Sequence, residues 1–157
     1  MKLPLVIIEL QNAEGHAAVF DLRFHWGDLP TETSVQVAFE KLAGVGPAVT
    51  ARTEILKRHG IVVLRPRQAP LPAERRGVNG EIRRFDLDRI YTLSATRDTL
   101  IPGIRIPADS SLAAAIQVVP PPYATGRTLC FDVVQQMGKR IVGGSACVVQ
   151  LRRRASA

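Results

Sequence analysis

His25 has Asp21 four residues before it and Asp28 three residues after. Gathered at one strand end, the three would form an acid–base pair or part of a metal site. On an extended strand Asp21 and His25 share a face, but Asp28 lies past Gly27 in a turn. Asp86 and Asp88 also share a face if extended, and paired carboxylates can hold a cation or pass protons. Arg83, Arg84 and Arg89 surround them, so surface ion pairing is the expected use. Ser34, Ser94, Ser110, Ser111, Ser145 and Ser156 all lack the paired flanking glycines of a nucleophile elbow. No phosphate loop, dinucleotide fingerprint or zinc-protease helix is present. The sequence therefore assigns no catalytic residue, no cofactor and no metal, and a non-enzymatic role is expected. An enzyme whose site is assembled from distant residues is the second alternative.

Binding chemistry is easier to find. The formal charge is +7, carried by 17 Arg and 4 Lys against 14 acidic residues, which favours an acidic partner. Arg65, Arg67, Arg75, Arg76, Arg83 and Arg84 would make one basic surface, and Arg152, Arg153 and Arg154 extend it in the tail. Phosphate contacts need such charge, but base stacking also needs exposed aromatics, which are only 5% of the chain. Nucleic acid or another acidic ligand is thus a second reading, behind a solvated basic face. Trp26, Tyr91 and Tyr123 are the only Trp and Tyr residues available for a carbohydrate platform, and Trp26 is expected in the core.

Elements must hold these residues, and the dominant period is two, the spacing of strands. It runs through Ala17–Trp26 and Leu129–Val134, while the β-branched run Ile61–Leu64 and the segments Ile90–Ser94, Ala113–Val119 and Ala146–Leu151 are further strand candidates. Residues 35–42 and 50–59 fit both periods. Ser34 would cap a helix before Gly44, and Gly60 would end one after His59. The strand reading is preferred for both, with one or two short helices as the alternative. The start, Met1 to Leu10, has a short apolar run broken by Glu9 and no small-residue cleavage site, so it reads as the first strand. A cytoplasmic location follows unless a leader was removed, and no stretch is long enough to span a membrane. One domain is expected over 1–151, with a long Pro- and Gly-rich loop at 66–81 and a basic flexible tail at 152–157.

The last third carries a resemblance. Ile104-Arg105-Ile106-Pro107 is followed by the strand Ala113–Val119, Pro120-Pro121 and Tyr123-Ala124-Thr125-Gly126-Arg127. Two more strands follow, Leu129–Gln136 and Gly143–Val149. Residues 100 to 151 thus resemble the end of an immunoglobulin-like or fibronectin type III-like β-sandwich. The resemblance implies an all-β, antiparallel sandwich and says little of function. In its final hairpin a two-residue turn at Gly138-Lys139 would set Cys130 opposite Cys147, close enough for a disulfide or a thiol pair. A bulge at Gly143-Gly144 would break that register. The expected role is a structural or protein-interaction module, part of a homo- or hetero-assembly, working through sheet edges, the 66–81 loop and the tail. A polyanion- or carbohydrate-binding module is the alternative.

Overall fold

The computed structural model describes residues 3–41, 46–47, 53–64 and 71–151. These residues form β1 (Leu5–Gln11), β2 (Ala18–His25), β3 (Ser34–Phe39), β4 (Gly46–Pro47), α1 (Thr53–Arg58) and β5 (Val62–Leu64). There follow β6 (Glu74–Arg76), β7 (Ile82–Arg84), β8 (Ile90–Ser94), β9 (Thr99–Ile106), β10 (Ser111–Val119), β11 (Thr128–Met137) and β12 (Arg140–Gln150). A 3-10 turn, Pro122–Ala124, precedes β11.

Alternation decides which way each strand faces. In β2, Phe20, Leu22 and Phe24 are buried while Asp21, Arg23 and His25 are half-exposed. The strands pair antiparallel into a first sheet, β1-β10-β3-β8-β5, and a second, β12-β11-β2-β9-β4, with β6 and β7 as a separate hairpin. One apolar core joins the two inner faces: Val37, Phe39 and Ile116 from the first sheet, Leu22, Phe24 and Phe131 from the second. This is the all-β sandwich the alternation predicts. Trp26 is in that core, stacked 5.2 Å from Phe24, with its Nε1 donating to the Arg97 carbonyl at 2.6 Å. The pairs β1·β10, β2·β9 and β3·β8 nest one inside another. The chain thus runs out and back as a folded two-stranded ribbon, the winding of a jelly roll.

The structure differs from the expectations at four places. Residues 53–58 are helical, not extended. Glu54 sits in the helix's first turn and Lys57 and Arg58 in its last, complementing the helix dipole. Gly60, at φ +74°, ends it, its amide donating to the Lys57 carbonyl while Ile61 donates to Leu56. Leu56 and Ile61 then reach the core. Residues 35–39, by contrast, are strand, as preferred. The second half of the 66–81 loop is also ordered. Glu74–Arg76 pairs with Ile82–Arg84, and residues 65–70 lie outside the described residues.

A third difference is β9, a strand that no run in the sequence analysis names. The pairing with β2 slips between Phe20 and Leu22, leaving an extra residue on β9. Gly103, at φ +76°, supplies the bulge, and the Asp21 carboxylate accepts its amide at 3.2 Å.

The fourth difference concerns the cysteines. Gly138, at φ +62°, makes the expected two-residue turn, with Met137 opposite Arg140. The register then shifts between Gln135 and Gln136, where β12 carries one extra residue, Val142. A one-residue slip exchanges faces. Cys147 therefore opposes Phe131 and is buried, while Cys130 opposes Val148 and is exposed. The two free thiols lie on opposite faces of one sheet, so the expected close pair does not form. Burial, and secondarily the charge of Asp132, pushes the Cys147 thiol up to about 11. Since the thiolate is the reactive form, iodoacetamide at about pH 8 should alkylate Cys130 and spare Cys147 until the chain unfolds. Peptide mapping showing both thiols labelled natively, or joined, would contradict this register.

Candidate functional site

The basic residues divide by strand parity. In the β6–β7 hairpin Arg75 opposes Arg83 and both turn inward, whereas Arg76 and Arg84 are exposed. Two guanidinium groups directly opposite would repel, and Glu40 resolves this. Its side chain is fully buried on the outer face of the first sheet. Arg75 Nε lies 3.0 Å from one carboxylate oxygen, and an Arg83 terminal nitrogen lies 2.8 Å from the other. Arg75 also reaches Glu9 at 2.9 Å, and the Ala113 amide donates to Glu40 at 3.4 Å. Beneath the hairpin, Leu71 and Phe85 pack on Ala38, Ile90, Ala113 and Ala115, a small second core. Arg75 and Arg83 are thus internal counterions, not a phosphate-binding surface. This corrects the reading that grouped them with Arg76 and Arg84. Arg65, Arg67, Arg152, Arg153 and Arg154 lie outside the described residues.

The acid–base candidates separate likewise. His25 Nδ1 lies 2.8 Å from Asp98, a residue 73 positions away. Asp21 is engaged at the β9 bulge, and the Asp28 amide donates to the Cys130 carbonyl at 3.1 Å. The expected Asp21–His25–Asp28 gathering is therefore replaced by an exposed His25–Asp98 pair. Among the described residues no three His, Cys, Asp or Glu side chains are placed to hold a metal. Asp86 accepts the Asp88 amide at 3.1 Å in a local turn. Elsewhere, Tyr123 donates to Glu32. That bond holds the Glu32 carboxyl below its usual range and pushes the Tyr123 phenol up.

Sheet edges offer the remaining chemistry. A cleft of about 200 Å³ opens between β1 and β12, with Ile8, Leu22 and Val133 in its wall and Ser145 at its side. Gln135, from β11, closes one end of it. Its Nε2 donates to the Gln11 carbonyl at 2.8 Å, and its Oε1 accepts the Gln11 amide at 3.3 Å. The side-chain amide thus stands in for a neighbouring strand's peptide group at the edge of β1.

Among the described residues the edge strands of the two five-stranded sheets are unequal. β5 has three residues, β4 has two and contains Pro47, and β1 follows Pro4 and carries Glu9. Short length, proline and charge are the usual protections of an edge. β12 runs 11 residues, and Ile141 to Leu151 contains no charge and no proline. Its Leu151 amide donates to the Arg127 carbonyl at 2.9 Å, so Leu151 faces β11. By alternation, Gly144, Ala146, Val148 and Gln150 point their N–H and C=O groups to the side where, among the described residues, no strand pairs. Val148 adds an apolar side chain that is 59% exposed. Sequence reasoning named sheet edges in general. It could not choose β12, because edge position depends on the whole strand order.

No family model matches the chain, and the curated proteins contain no match. Among solved structures the chain is similar to that of AvmM, described as catalysing macrocyclization in alchivemycin A biosynthesis. The likeness covers 99% of this chain and 91% of that one, at 8% identity and a TM-score of 0.39, which is too low to carry an argument about fold or activity.

Two outcomes follow from these contacts. Replacing both Arg75 and Arg83 by Met strands a buried carboxylate and should cost about 3–5 kcal/mol in urea denaturation. Glu40→Met should cost less, because the two guanidinium groups, 15% and 22% exposed, can turn to water. Equal losses would show that the hairpin's apolar contacts, not the charges, hold it. Separately, Tyr123→Phe should raise the Glu32 titration midpoint by carboxyl NMR, and an unmoved midpoint would remove the tyrosine as its cause.

Proposed function

We propose that this chain is a non-catalytic protein-interaction module that adds a strand of another chain to its second sheet along β12. The carrying observation is the long, uncharged, proline-free edge with four consecutive outward-facing backbone positions. Unpaired N–H and C=O groups in such a row are a template for an extended segment. Main-chain hydrogen bonds supply affinity there, and exposed Val148 supplies a side-chain contact. The sandwich behind it is rigid, since β11 pairs on both sides, with β12 and with β2. The internal use of Arg75 and Arg83 counts against the polyanion alternative.

Amide hydrogen exchange tests the edge directly. In the isolated chain the amides of Ala146 and Val148 should exchange fast and those of Cys147 and Val149 slowly. Protection of all four in a monomer would show the edge already covered, and the reading would fall. Ala146→Pro removes an amide that bonds nothing within the sheet. It should leave the melting temperature unchanged while returning any native complex in a cell extract to the 17.1 kDa chain on size exclusion. A wild-type chain that elutes alone from that extract would also count against it.

A further inference from the structure

The inner face of β12 is filled along only part of its length. Cys147 and Val149 turn toward the core, and both are buried. The next two inward positions are Ser145, which is exposed, and Gly143, which is half-buried. Neither side chain can fill the space between the sheets. Across that space on β1, Leu10 is buried, but Ile8 and Val6 are only half-buried. The cleft of about 200 Å³ is the room so left, with Leu22 and Val133 in its wall. Those two are fully buried, so the cleft reaches down to the core.

A strand added along β12 brings side chains to this opening by geometry alone. Residues directly opposite each other in a sheet turn to the same face, with Cβ atoms about 4.5–5.5 Å apart. The partner residues opposite Gly143 and Ser145 therefore turn inward, over the cleft. A cavity of about 150 Å³ holds a benzene ring, so the cleft has room for one large side chain. We propose that the segment added along β12 carries one Leu or Phe that enters the β1–β12 cleft as an anchor. This rests on the strand-addition reading above and adds what the partner must present. Main-chain pairing accepts many sequences, and a pocket for one alternate side chain selects among them. A second copy of β12 has no such side chain to give. Between Gly143 and Val149 its inward residues are Cys147 and Val149, already buried in their own core, and the small Gly143 and Ser145.

The test uses the whole chain and fluorescein-labelled peptides of about twelve residues in which Thr and Val alternate. One central Thr is replaced by Leu, Phe or Ala, and a fourth peptide keeps the Leu with Pro beside it. Anisotropy should show the Leu and Phe peptides binding at least about tenfold tighter than the Ala peptide, the scale of an anchor's truncation. The Pro peptide should not bind, and the Leu peptide should protect the amides of Ala146 and Val148 from exchange. Ser145→Leu fills the cleft from within. It should raise the melting temperature and bring the Leu peptide down to the affinity of the Ala peptide. Gly143→Val, whose Cβ would meet Gln135 no closer than 3.5 Å, should weaken the Leu peptide likewise. Equal binding of the Leu and Ala peptides would overturn the anchor and leave strand addition standing. Leu-peptide binding that both folded variants leave intact would do the same. A Pro peptide that binds as tightly as the Leu peptide would reduce the effect to apolar capture and overturn both readings. A self-associated chain that Ala146→Pro dissolves would make the occupant a second copy, against this inference. A monomer that binds none of the peptides would also remove both readings.

Discussion

A single buried carboxylate fixes how the first sheet is covered. Glu40 lies on the outer face of β3, where Ala38, Ala113 and Ala115 are also fully buried, so that face needs a lid as the inner face needs the second sheet. A charge taken from water there is tolerable only if opposite charges meet it in good geometry. Arg75 and Arg83 do so, one on each oxygen, and they come from the two strands of one hairpin. The apolar contacts of Leu71 and Phe85 supply area, and the ion pairs supply register. The small alanines beneath matter as much, since larger side chains on β3 and β10 would lift the hairpin and part the charges.

That arrangement explains what the sequence could and could not reveal. Strands with one wet face, such as β2 and β11, alternate cleanly and were legible. β10, buried on both faces across Leu112–Val118, shows as an apolar run that still names a strand. The β6–β7 hairpin carries no apolar alternation, because its inward residues are arginines whose shared partner, Glu40, lies 35 positions before Arg75. It therefore reads as a polar loop. α1 is short enough that its two apolar contacts, Leu56 and Ile61, suit a hairpin equally well. β9 was not named as a strand, and its Pro102-Gly103 suits a turn as well as a bulge.

The site was less legible than the fold. Ionisable clusters could be guessed only from neighbours in sequence, and the real partners came from far away: Asp98 for His25, Glu40 for Arg75. The cysteine register followed correctly from the turn at Gly138 as far as Gln136 and failed at one inserted residue, Val142. Both failures have the same origin. Period two fixes which face a side chain takes only when the count of residues along the strand is uninterrupted.

The nested ribbon sets an order on the birth of the molecule. Within its sheet β1 pairs with β10, Leu10 opposite Leu112, so its strand partner is about a hundred residues later on the chain. A ribosome adding about 5–20 residues per second leaves Leu5–Gln11 without that partner for roughly 5–20 s after it is made. During this interval the segment Leu-Val-Ile-Ile is an apolar strand with both sides open, the form in which nascent chains meet chaperones or one another.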